Sequence, residues 1–171
     1  MVEQAEYEIQ ETAGKMEIRK YPDMILATVY GYSDNAAFGM LFDYIAGNNE
    51  SKRKIPMTTP VISSEKIAMT APVISNSQSF SFVLPRTYEA NTTPEPIDKR
   101  IRIEQVPARR VAVIRFRGRA TAKDLKARTS ELIGFTTRLG LVTQGEPFLL
   151  RYNPPFTPGF LRRNELGIVL G

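Results

Sequence analysis

The sequence predicts an α+β fold: a twisted antiparallel β-barrel with two flanking helices, built from two pseudo-symmetric halves at about residues 6–84 and 99–171. Three observations predict it. The segment 54–63 recurs twelve residues later as 66–75, with eight of ten positions identical. It is too rich in Pro, Ile, Val and Thr for a helix, and two copies are too few for a solenoid. The two copies are therefore adjacent extended segments, joined by a turn at residues 63–65, within a larger sheet. Next, Ile18, Pro22 and Ala27 fall on Ile103, Pro107 and Ala112 at an offset of 85, each set within one strand–proline–strand unit. Finally, the order strand–strand–helix–strand–strand occurs twice.

Taken in order, Tyr7 to Glu11 and Met16 to Tyr21 alternate polar and apolar residues at period two, on either side of a turn at Ala13-Gly14. Pro22-Asp23 turns the chain into Met24 to Tyr30, whose few polar positions predict burial on both faces. Ser33 or Asp34 caps a helix that reaches Ala46 and stops at Gly47. Its apolar stripe is Phe38, Leu41, Phe42 and Ile45. The doubled segment follows, with Met57 and Met69 at equivalent positions and Pro60 and Pro72 outside regular ladder bonding. Ser79 to Leu84 is a strand with Phe80 and Phe82 on one face, and the proline-bearing stretch 85–98 is a connector. The second half opens with Arg100 to Val106, turns at Pro107 and continues as Arg110 to Arg117. Thr121 and Asp124 open a second helix, with Leu125, Leu132, Ile133 and Leu139 on one face and Gly140 at its end. Gly134 inside it costs about 1 kcal/mol relative to alanine, which packing has to offset. Phe148 to Tyr152 and Leu166 to Leu170 supply two closing strands.

At 171 residues the chain is expected to form a single domain, residues 1–171. It has no cysteine and no histidine. That excludes disulfides, thiolate metal sites, cysteine nucleophiles and any Ser-His-Asp triad. With no recognisable carboxylate pair either, an enzyme is not expected. No apolar run reaches the ~20 residues of a membrane helix, and the polar, acidic start does not resemble a signal peptide, so a cytoplasmic protein without a transmembrane segment is expected. Net charge is +5, yet residues 99–128 hold eleven Lys/Arg against Glu104 and Asp124. Such a stripe, which includes Arg100, Arg102, Arg110, Arg115 and Arg117, either faces a polyanion or forms the wet side of strands. The second is the expectation, with no specific nucleic-acid partner.

Between the last two strands, Arg151 to Glu165 holds three prolines, Phe156, Phe160, Arg162 and Arg163. A stiff loop carrying aromatics and cations suits a flat, apolar, anionic ligand. The alternative is that Phe156 and Phe160 plug the barrel end.

These residues match a family. Tyr21-Pro22, Phe38-x-x-Leu41-Phe42-x-Tyr44-Ile45-x-Gly47-Asn48, both Met-Thr-x-Pro-Val copies, Arg151-Tyr152-Asn153-Pro154-Pro155 and Arg162-Arg163-Asn164-Glu165 together resemble the SOUL/haem-binding protein family over nearly the whole chain. The architecture is similar to that of GyrI-like effector-binding domains. The resemblance implies the barrel with two helices, and a non-enzymatic binding or carrier role for haem or a related tetrapyrrole. It places the ring between the first helix and the loop before the last strand. The ligand-binding residues it implies are Phe38, Leu41, Phe42, Ile45, Met57, Met69, Arg151, Phe156, Phe160 and Arg162. With no histidine the ring is held mainly by apolar contact, and no metal-ligating residue is assigned. If iron is ligated at all, Met57, Met69 or a tyrosine such as Tyr44 has to do it. A monomer or weak dimer is expected.

Two other readings stand beside this one. A GyrI-like binder of another hydrophobic or cationic small molecule would gain from Glu146 or Glu165 facing a pocket. An interaction protein would dock an anionic partner on the basic stripe.

Overall fold

A computed structural model describes residues 3–52, 64–118, 120–153 and 157–171. In chain order its first half holds β1 (Glu3–Gln4), β2 (Glu8–Ala13), β3 (Met16–Tyr21), β4 (Met24–Tyr30), α1 (Asp34–Ala46), β5 (Asn49–Glu50), β6 (Thr70–Ala71), β7 (Val73–Ser75) and β8 (Ser79–Val83). After β9 (Glu95–Pro96) come β10 (Arg102–Val106), β11 (Arg109–Arg117), α2 (Ala122–Arg138), β12 (Thr143–Arg151) and β13 (Arg163–Leu170).

Nine strands form one antiparallel sheet in the order β10-β4-β8-β7-β12-β13-β11-β3-β2. Setting β2 aside and exchanging β3 with β10, β4 with β11, β7 with β12 and β8 with β13 reverses this order onto itself, so the two halves meet about a pseudo-twofold between β7 and β12. Strand β3 runs into β4 at Pro22-Asp23, and β10 into β11 at Pro107-Ala108. Neither hairpin pairs internally. β4 pairs with β10 and β3 with β11, so both proline corners carry the chain from one side of the curl to the other. The curl stays open at β2 and β10, making a half-barrel rather than a closed barrel. Two-residue ladders β1–β6, which is parallel, and β5–β9 lie outside it.

Strand and helix bounds follow from local chemistry. Ser33 caps α1 by accepting from the Ala36 amide, and Gly47, at φ +132°, ends it in a backbone region that a side chain would strain. Thr121 caps α2 by accepting from the Asp124 amide. Helix α1 packs on β4 and β8, joining Leu41, Tyr44 and Ile45 to Ala27, Val29, Phe80 and Phe82. Helix α2 packs on β11, β12 and β13, through Leu132 and Phe135 against Ala112, Ile114, Leu149, Leu166 and Ile168.

The buried face of α2 is Leu132, Phe135 and Thr136; Ile133 and Leu139 are exposed. The expected stripe was rotated because its four apolar residues span more than one face, and the large Phe135 decides which side goes inward. Gly134 has open space around it, since a Cβ there would meet nothing within 4 Å. Gly134→Ala should therefore stabilise the protein by about 1 kcal/mol. Thermal unfolding checks this, and a loss of stability would show a close neighbour at that position.

The first copy of the doubled segment lies outside the described residues, so the pairing of Met57 with Met69 does too. In the second copy, Pro72 separates β6 from β7 and stays out of the ladder, as expected. Gly167 is needed for space: a Cβ would sit 2.7 Å from the Phe148 ring.

The sheet face turned away from the helices holds an ionic network that alternation alone does not reveal. Arg19 is 0% exposed. Its guanidinium donates to both Glu165 carboxylate oxygens at 2.7 and 2.6 Å, to Glu17 at 2.7 Å and to the Tyr21 hydroxyl at 2.9 Å. It also lies 4.0 Å over the Tyr7 ring. Arg115 reaches Glu17 at 3.0 Å and Glu165 at 3.3 Å, and Arg163 reaches Glu165 at 3.1 Å. Glu17 and Arg19 sit two apart on β3, on the face opposite Ile18, and Arg115 is the direct cross-strand partner of Glu165.

Candidate functional site

Helix α1 presents two different faces. Leu41 and Ile45 are buried against the sheet, within the core cluster that α1 shares with β4 and β8. Phe42 is 50% exposed. Its ring stacks on Phe38 at 6.1 Å and 18°, and Phe38 in turn stands edge-on to Phe82 at 5.4 Å. An outward phenylalanine is thus backed by an aromatic chain that runs into the core. Gly39, one turn before Asp43 on the same helix, has open space where a Cβ would be.

The loop between β12 and β13 is tied to that helix at its base. Arg151, the last residue of β12, pairs with Asp34 in the first turn of α1 at 2.7 Å. Arg162 donates from Nε to the Thr157 carbonyl at 2.8 Å, and the Leu161 amide donates to the Pro158 carbonyl at 2.9 Å. The resulting tight turn leaves Phe160 74% exposed and Leu161 56% exposed. Phe160 therefore does not plug the sheet. Phe156 and Met57 lie outside the described residues.

The remaining candidates for iron fare poorly. Tyr44 is fully buried and donates its hydroxyl to the Pro94 carbonyl at 2.7 Å. Burial, followed by the nearby Tyr88, Glu65 and Glu95, pushes its pKa well above that of an ordinary phenol, so it does not offer a phenolate. Met69 is half-buried against the α1 core cluster. No group of three or more acidic side chains among the described residues could hold a metal ion.

Glu165 and Glu146 do not provide a cation site. Glu165 is spent on Arg19, Arg115 and Arg163, while the exposed Glu146 accepts from the Ser77 amide and hydroxyl. The basic stretch is not one stripe either. Arg100 and Arg102 border β10, Arg110, Arg115 and Arg117 lie on β11, and five strands separate those two in the sheet. Arg100 pairs with Asp98, Arg102 lies over Tyr30, and Arg110 donates to Gln10. No helix among the described residues is long and apolar enough to cross a membrane.

Fold and site together define a class of protein, and comparison with known sequences names it. The family model described as SOUL heme-binding protein matches residues 2–169, and the chain belongs to that family. It is 27% identical to Heme-binding protein 1 of Sus scrofa over 133 residues, covering 78% of this chain and 69% of that one. Among solved structures it resembles a protein titled a hydrolase from Listeria innocua, with 13% identity, a TM-score of 0.60 and 92% of each chain covered. It also resembles the EcmrR C-terminal domain, at 12% identity and a TM-score of 0.53, over 96% of this chain and 98% of that one. At such identities these two likenesses establish the fold alone.

Two features of the site were not foreseen. Asp34 anchors the loop through Arg151, and Leu161 stands beside Phe160 as a second exposed apolar side chain. Position 34 was legible only as a helix cap, because its partner lies 117 residues away.

Proposed function

We propose that this protein is a non-enzymatic binder or carrier of haem or a related tetrapyrrole, working in the cytoplasm as a monomer or weak dimer. The ring rests mainly on apolar contact, without a histidine ligand, against Phe42 and Phe38 of α1 and Phe160 and Leu161 of the loop. The observation that carries this reading is the half-exposed Phe42, stacked on a core-anchored Phe38, on a helix whose first turn is fastened to the aromatic loop by Arg151 and Asp34.

Among the described residues, the exposed aromatics support contact with a flat ring, and the buried, hydrogen-bonded Tyr44 gives axial coordination no support. Apolar burial at about 25 cal/mol per Å² supplies useful affinity for a large flat ligand. Arg151 and Arg162 offer cationic donors for ring carboxylates, with Arg151 shared between the ligand and Asp34. Membership of the haem-binding family supports a binding role rather than catalysis, and so does the lack of His and Cys. Neither rival reading gains support from the residues that suggested it: Glu165 and Glu146 are engaged, and the arginines are dispersed.

Titrating haem into purified protein, followed in the Soret band, should give a saturable one-to-one curve. A signal that never saturates would overturn the reading.

A further inference from the structure

A cavity lies away from α1 and the aromatic loop, where the two proline corners meet. Its volume is about 600 Å³, within the usual range for small-molecule sites. Pro22 and Asp23 from one corner and Val106 and Pro107 from the other border it, as do β1 and the stretch after β8. Its apolar wall is formed by Met24, Val83, Leu84, Val106 and Tyr88.

Charge around the mouth is one-sided. Glu3, Glu6, Asp23 and Glu89 face Arg86 alone, in a chain whose net charge is +5. Arg86 is already matched by Glu6 at 3.2 Å. A second observation is independent of the carboxylates. Thr70, which lines the same cavity, is 3% exposed, and its Oγ1 has no hydrogen-bond partner. A buried hydroxyl left unpaired costs free energy that a ligand group can recover.

We infer that this cleft is a ligand site for an organic cation, an amine or amidine on an apolar body, distinct from the haem face and independent of the haem reading. The carboxylates do not converge as metal ligands do, so a compact ion has no cage here. An extended amine can lie across the mouth with its charge among Asp23, Glu89 and Glu3. Its apolar body then rests on Met24, Val83 and Val106, and Thr70 takes a polar atom. The charged end stays outward. Behind Met24 and Val83 there is only a gap of about 10 Å³, and its far side carries the Arg109 guanidinium over the Phe148 ring.

The test uses dansylcadaverine, an amine whose fluorescence shifts to the blue in apolar surroundings, with neutral dansylamide as its control. Dansylcadaverine should bind saturably and several-fold more tightly than dansylamide. Asp23→Asn and Glu89→Gln should each weaken it about two- to fivefold, the range of one exposed ion pair. Both side chains are exposed, so these variants keep the fold, and Phe42→Asp should leave the binding unchanged. Equal affinity for dansylamide, full affinity in the double variant, or loss in Phe42→Asp would overturn the site. Soret titration of the same samples reads the haem face separately, so either reading can fail alone.

Discussion

Replacing Arg19 by methionine is expected to cost this protein about 3–5 kcal/mol, the largest loss from any single side chain described above. The guanidinium is wholly buried and holds two carboxylates at once. Methionine fills similar volume but leaves Glu165 inside the sheet with only the partly exposed Arg115 and Arg163 to answer it. The same change alters the response to acid. Burial alone would raise the Glu165 pKa, but the hydrogen bonds and charge of Arg19 hold it below the ordinary carboxylate value. A carboxylate depressed in the folded state contributes stability that is complete above its unfolded pKa of about 4.3 and is lost as pH falls through the folded value. The parent should therefore lose stability steadily on acidification below about pH 4. In Arg19→Met that limb should flatten, because protonating Glu165 then relieves a poorly compensated charge. Adding Glu165→Gln to Arg19→Met should recover part of the loss. Denaturant unfolding across pH measures all three; a cost below about 1 kcal/mol for Arg19→Met would mean that water reaches the network.

Phe42→Asp is expected to abolish haem binding while leaving the fold intact. Half of Phe42 already faces water, so a carboxylate there costs the core little, whereas a ring pressed on that face meets a desolvated charge. The new charge also repels the ring carboxylates. Met57→Leu should leave binding largely unchanged, because contact rather than coordination holds the ring. A folded Phe42→Asp that takes up haem as the parent does would place the site elsewhere.

Much of the fold was legible in the sequence because local chemistry determines it. Strand β3 runs where its period-two pattern begins and ends, β4 is the mostly apolar stretch that follows Pro22-Asp23, and α1 spans the stretch from its Ser33 cap to Gly47. The halves could be paired through Pro22 and Pro107, because a proline corner is a local event. What escaped depends on distant partners. Glu17 and Arg19 give the period-two polar pattern of a wet face, yet both are buried, while Lys20 on the opposite face is exposed. Only the arrival of Glu165, 146 positions away, makes a buried Arg19 affordable. The same limit governed the site: Phe38, Leu41, Phe42 and Ile45 share one helical stripe, yet Leu41 and Ile45 go inward against β4 and β8 while Phe42 stays half-exposed. The arginines of 99–128 looked continuous along the chain and are distributed over separated strands.

The central claim is that contact, not an iron ligand, holds the ring on α1 and its loop. Parallel titrations with haem and with iron-free protoporphyrin IX test it most directly. The prediction is saturable one-to-one binding of both, with dissociation constants within about tenfold, or 1.4 kcal/mol. Haem binding more than about a hundredfold tighter than the free porphyrin, or saturable binding of haem alone, would show that a side chain of this protein coordinates the iron and would contradict the account.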